Sequence, residues 1–130
     1  MVSHSSYPDV EMNLVKILLI DDDDSHNQLL TGILNSEGHD VLAANDGMEG
    51  LEILRREKDI DFIIVDEVMP YMSGLEFKKK VAEEFDQLPS IYLLTGNETR
   101  ELWSSKVLYK PITVADLRAI IKLERELNQL

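Results

Sequence analysis

Three short apolar runs, KILLI at residues 16–20, FIIV at 62–65 and IYLL at 91–94, each break off at a polar residue: Asp21, Asp66 and Thr95. An apolar run of four or five residues with no alternation is what a strand buried on both faces requires. Between the runs the period changes. Leu29, Leu30, Ile33 and Leu34 fall at helical spacing, as do Met48, Leu51, Ile53 and Leu54, and then Leu75, Val81 and Phe85. A weak strand is expected at 41–44 and a further strand at 106–109, with Gly38 ending the first helix and Thr113, three residues before Asp116, opening the last as an acidic capping box. Strands alternating with helices predict an α/β domain, a doubly wound five-stranded parallel sheet with both faces covered. Such sheets bind ligands beyond the carboxyl ends of the strands, where strand order reverses, so the polar residues at those ends are the functional candidates.

Those ends carry Asp21 and Asp22, then Asp66, Thr95 and Lys110. Carboxylates brought within roughly 4 Å repel by several kcal/mol at an effective dielectric near 20, unless a cation or a proton intervenes. An oxygen-only set of this kind suits Mg²⁺, which keeps several waters and commonly completes its shell with a phosphate oxygen. The run Asp21 to Asp24 also has an ordinary reading as a solvated helix N-terminus, with Asp24 or Ser25 as the cap. Lys110 before Pro111 also reads as a loop lysine, and Thr95 as a plain strand end. It is their convergence on one sheet edge that gives them chemistry.

Composition narrows the class. The chain has 130 residues, a formal charge of −12 and no cysteine, which suits one domain and excludes disulfides, thiolate metal sites and Cys nucleophiles. The acidic balance opposes nonspecific binding to nucleic acid or anionic lipid. No apolar run reaches 18 residues and the N-terminus lacks a signal-peptide pattern, so no membrane insertion and a cytoplasmic location are expected. Residues 1–14 read as a flexible tail and 15–130 as the domain. His4, His26 and His39 show no ligand spacing and are expected on the surface, although His26 lies near the acidic pocket. Lys78, Lys79 and Lys80 read as a solvated helix face, with kinase docking as the alternative.

The motifs LLIDDD (18–23), IIVDEVMPYMSGLE (63–76), LLTG (93–96) and YKPIT (109–113) occur in an order that resembles the receiver domain of bacterial response regulators, the phosphoacceptor half of two-component signalling. The resemblance covers residues 16 to about 127. It implies a flavodoxin-like fold in which Asp66 takes a phosphoryl group from a sensor histidine kinase, a phosphotransfer protein or a small donor such as acetyl phosphate. It further implies that Asp22 binds Mg²⁺ directly, Asp21 largely through water, and that Asp66 and the backbone carbonyl of Val68 complete the protein ligands. Lys110 would pair with Asp66 and later with a phosphoryl oxygen, and Thr95 would bond another. Pro70, Ser73 and Gly74 would shape the adjoining loop. Such a domain is a switch rather than an enzyme, catalysing only its own phosphorylation and autodephosphorylation, with output through a protein partner and a homodimer as one form.

Two rivals share these residues. A Mg²⁺-dependent aspartyl phosphatase would need an acid two residues after the nucleophile, where Val68 stands. A degenerate receiver working by protein contact alone would not need Asp66, Thr95 and Lys110 together.

The chain departs from the family pattern in three places. Lys110 follows Thr95 by only 15 positions, so the helix between the fourth and fifth strands is expected to be shortened or missing, within 96–106. The position of the usual switch aromatic is Val107, while Tyr109, roughly 7 Å further along the strand, cannot take the same place unchanged. Apolar Val68 cannot orient an attacking water, which predicts a long-lived aspartyl phosphate. Finally, Ile120, Leu123, Leu127 and Leu130 make a stripe on the last helix, expected to face the sheet, with the start of a coiled-coil linker as the alternative.

Overall fold

A computed structural model describes residues 14–96 and 106–128. The elements follow the alternation of apolar runs: β1 (Lys16–Ile20), α1 (Asp24–Ser36), β2 (Asp40–Ala44), α2 (Gly47–Arg56), β3 (Phe62–Asp66), α3 (Gly74–Glu84), β4 (Ser90–Thr95), β5 (Val107–Tyr109) and α4 (Val114–Asn128). All five strands are parallel, in the order β2-β1-β3-β4-β5. The order reverses between β1 and β3, and this is where a crevice opens beyond the strand ends. Registers Ile20 to Ala44, Ile20 to Val65 and Asp66 to Leu94 bring those ends level.

Because successive strand residues point to opposite faces, each apolar run feeds two cores. Leu18, Ile20, Ile63, Val65, Ile91 and Leu93 pack with Leu51, Phe77 and Val81 under α2 and α3. Ile17, Leu19, Phe62, Ile64, Tyr92 and Leu94 pack with Leu30, Leu34, Leu117, Ile120 and Ile121 under α1 and α4. The uninterrupted hydrophobicity of the central strands is thus explained: neither face meets water.

Caps set where the helices begin. The Asp23 carboxylate accepts from the His26 backbone N–H and caps α1, so the cap lies one residue before Asp24 and two before Ser25, the expected caps. Ser73 and Glu76 form a reciprocal capping box on α3. Thr113 and Asp116 bond reciprocally at the start of α4, as the sequence predicts. Gly38, just past α1, has φ +93°, a conformation that a side chain at this position would strain.

The last helix differs from its predicted orientation. Its buried positions are Leu117, Ile120, Ile121 and Glu124, while Leu123 and Leu127 are exposed. At about 100° per residue, Leu123 and Leu127 fall to one side of the line through 117, 121 and 124, so among the described residues of the expected stripe only Ile120 is buried. Leu130 lies outside the described residues. So do the N-terminal tail over 1–13, His4 with it, and residues 97–105, where the shortened helix was expected.

Candidate functional site

At the switch point the carboxyl ends of β1 and β3 present Asp21 and Asp66, both buried, and Asp22, which is exposed. One carboxylate oxygen from each lies within 4.8 Å of the others. Two neighbouring nitrogen-bearing side chains answer this concentration of charge. Lys110, just beyond β5, places Nζ 3.0 Å from Asp66 Oδ1, and His26, in the first turn of α1, places Nδ1 2.6 Å from Asp21 Oδ2. The backbone N–H of Lys110 donates to the Thr95 carbonyl at 2.8 Å, which ties the lysine to the end of β4. The Lys110–Pro111 peptide is cis.

Burial is the main reason that the Asp66 carboxyl titrates above the usual carboxylate range. Its bond to Lys110 works against that rise, and the Asp21 charge adds to it. Burial pulls Lys110 down, but its hydrogen bond to Asp66 and the charges of Asp66, Asp21 and Asp22 outweigh it and leave the ammonium above its ordinary value. The pocket thus gathers three acidic side chains around one ammonium, that of Lys110. Three hard oxygen donors converging beside one lysine fit a divalent cation such as Mg²⁺. Asp21 has less freedom to bind one directly, since Oδ1 accepts from the Asp23 backbone N–H at 3.0 Å while Oδ2 meets His26.

Matching residues 17–122, a model of the response regulator receiver domain covers most of the chain. The chain belongs to this family. Receiver domains are signalling proteins of two-component systems that interact with histidine kinases or phosphotransfer proteins. A chemotaxis protein CheY homologue of Campylobacter jejuni is 36% identical over 91 residues, 68% of this chain and 70% of that protein. A putative two-component response regulator of Arabidopsis thaliana is 30% identical over 123 residues, 91% of this chain but only 20% of that much longer protein. The crystal structure of a receiver domain protein from Clostridium thermocellum superposes with a TM-score of 0.77 at 27% identity, over 89% of this chain and 98% of the other. Among the described residues no helix is long and apolar enough to cross a membrane.

The structure brings Asp21, Asp22, Asp66 and Lys110 together as predicted, and puts Thr95, buried, at the end of β4 beside them. Val68 sits in the loop after β3 with its side chain exposed. Two histidines depart from expectation. His26 is half-buried against Asp21, and His39 is buried, its Nδ1 accepting from the Val15 N–H at 3.1 Å; burial holds His39 below the usual histidine range.

Three further polar residues escape the sequence reading. Asn27 is buried and its Nδ2 donates to the carbonyls of Asp21 (2.8 Å) and Ala44 (3.1 Å), clamping the ends of β1 and β2. Its signal was available: it stands at the same helical face as Leu30 and Leu34, where a polar residue needs a reason. Glu67 is half-buried and accepts a hydrogen bond from Thr95 Oγ1. Glu124, buried on α4, accepts from Tyr92 Oη at 2.5 Å. Gly74 makes the loop geometry possible, because a Cβ there would lie 2.5 Å from the Asp66 carbonyl and 2.7 Å from Leu93 Cδ2, so α3 can start directly against the end of β3.

Proposed function

We propose that this receiver is an active phosphoacceptor: Asp66 takes a phosphoryl group, and the modified site switches contact with a protein partner. The observation that carries the reading is the convergence of Asp21, Asp22 and Asp66 within 4.8 Å, with Lys110 3.0 Å from Asp66, at the topological switch point. An Asp66 carboxylate oxygen attacks phosphorus while the bond from phosphorus to the donor breaks, the leaving imidazole of a phosphohistidine or the acetate of acetyl phosphate keeping the electron pair. Such a transfer needs positioning and charge neutralisation more than covalent assistance. Asp22 and Asp66, with the Val68 carbonyl, would hold Mg²⁺ and Asp21 would reach it through water. When bound, Mg²⁺ supplies positive charge opposite the incoming phosphoryl oxygens. Lys110 exchanges its Asp66 partner for a phosphoryl oxygen and Thr95 bonds another. The new charge then biases the loops beyond β3 and β4 between two arrangements.

The donor is a histidine kinase or phosphotransfer protein, the location cytoplasmic, and the output a protein contact. Mass spectrometry after incubation with acetyl phosphate and Mg²⁺ tests this directly. A phosphoryl adduct on Asp66 that is absent without Mg²⁺ and absent in Asp66→Ala is the expected result. No adduct on the folded wild-type chain would refute it in favour of a receiver that works by contact alone, and turnover of phosphate esters would favour a phosphatase.

A further inference from the structure

We infer that Glu67 is a positioning residue that holds the Thr95 hydroxyl in the unphosphorylated state and must release it for the phosphoryl group to be bound. This rests on the phosphoacceptor reading and concerns the side chain directly after the acceptor aspartate.

The backbone geometry makes the contact specific. The Glu67 N–H donates to the Leu94 carbonyl at 2.9 Å, and the Glu67 carbonyl accepts from the Gly74 N–H at 2.9 Å. Glu67 is therefore pinned between the end of β4 and the start of α3. Thr95 is equally fixed, through the Lys110 N–H on its carbonyl at 2.8 Å and the pairing of Thr95 with Tyr109. Across this short span the Glu67 carboxylate accepts from Thr95 Oγ1. With both backbones anchored, only side-chain rotation can exchange the bond.

Chemistry makes the contact competitive. A carboxylate oxygen is an anionic acceptor, as a phosphoryl oxygen is, and hydrogen bonds to charged acceptors are the stronger ones. A single Thr95 hydroxyl proton cannot serve both. The groove lined by Glu67, Val68, Met69, Ser73 and Gly96 offers the released carboxylate a solvated place beside the loop. Phosphorylation would thus move Glu67 outward into that groove, and the change at Asp66 would be transmitted to the β3–α3 loop through Glu67 as well as through Thr95.

The test uses beryllium fluoride, the phosphoryl mimic, titrated calorimetrically into the whole chain with saturating Mg²⁺. Glu67→Ala removes the competing acceptor and is expected to tighten binding roughly tenfold, the range of one hydrogen bond to a charged group; Glu67→Gln, which keeps an oxygen acceptor without the charge, should fall between it and wild type. In a Thr95→Val background, where there is no hydroxyl to hold, Glu67→Ala should change the affinity by less than about twofold. Unchanged or weaker binding in Glu67→Ala with Thr95 present would overturn the inference. So would an equal gain in the Thr95→Val background, which would reduce the role of Glu67 to charge repulsion. If neither wild type nor Glu67→Ala binds beryllium fluoride, the phosphoacceptor reading itself fails and the inference with it. Binding by Glu67→Ala alone would show the latch in its extreme form.

Discussion

Replacing Asp66 with Asn tests the electrostatic account of the pocket, because the variant keeps the shape and removes one charge. With carboxylate oxygens at most 4.8 Å apart, each repulsive pair costs about 3.5 kcal/mol or more at an effective dielectric near 20. Lys110 at 3.0 Å returns about 5.5 kcal/mol on the same footing. Lys110 is 40% exposed and Asp22 is exposed, so solvent screening discounts the attraction and the Asp22 repulsion together. What remains is the repulsion between the two buried groups, Asp21 and Asp66, and the burial of the Asp66 charge itself, which is the largest reason its carboxyl titrates high. Asp66→Asn should therefore be more stable than wild type by about 1–3 kcal/mol at neutral pH without divalent cations. Urea unfolding with and without Mg²⁺ is the assay. Mg²⁺ at a hundred times its dissociation constant should stabilise wild type by about 2.7 kcal/mol, and the variant by clearly less, so that the two converge. A variant less stable than wild type in the absence of metal would show that the Lys110 pair outweighs the repulsion, and equal stabilisation of both by Mg²⁺ would place the ion elsewhere.

Tyr92→Phe leaves the buried Glu124 carboxylate without its phenol and should cost about 2–3 kcal/mol by urea unfolding, most of it recovered in Tyr92→Phe/Glu124→Leu; failure of the double variant to recover would mean that Glu124 has a use beyond this bond. His39 titrates lower in the fold than its ordinary value of 6.5 because it is buried. As pH falls the unfolded chain takes up this proton first, so the stability contribution is complete above about pH 6.5 and lost below it, and the slope of stability between about pH 5 and pH 7 should be shallower in His39→Asn than in wild type. Tyr71 is fully exposed at φ 69°, so Tyr71→Gly should raise stability by about 0.5–1 kcal/mol in the same assay, and a loss would mean that the ring has a contact worth more than the strain. The aspartyl phosphate should persist for minutes without a phosphatase, since the Val68 side chain offers no group to orient water; phosphate release within seconds would reject that.

Legibility in the sequence followed how local each determinant is. KILLI, FIIV and IYLL could be read as buried strands because two-faced burial demands unbroken apolar runs, and Asp21, Asp66 and Thr95 stood out because each ends one. The Thr113–Asp116 capping box was legible for the same reason, being closed within four residues. Glu67, Glu124 and His39 were not, because each is defined by a partner far along the chain: Thr95, Tyr92 and Val15. The stripe on α4 misled because periodicity gives an apolar arc but not its absolute rotation, which the Tyr92–Glu124 bond and the packing of Leu117 and Ile121 decide.

By itself, then, the sequence determined the element types, the doubly wound class and the identity of the strand-end acids, all consequences of short-range periodicity and of what may follow a buried strand. Only the tertiary structure decided which of these charges meet. The parallel register levels Asp21 with Asp66 across the switch point, β5 delivers Lys110 to within 3.0 Å, and the closeness of β3 to β4 sets Glu67 on Thr95. The physical reason is that a chain's local propensities say nothing of Coulomb and hydrogen-bond partners many residues away, and it is those partners that turn an acidic strand end into a site.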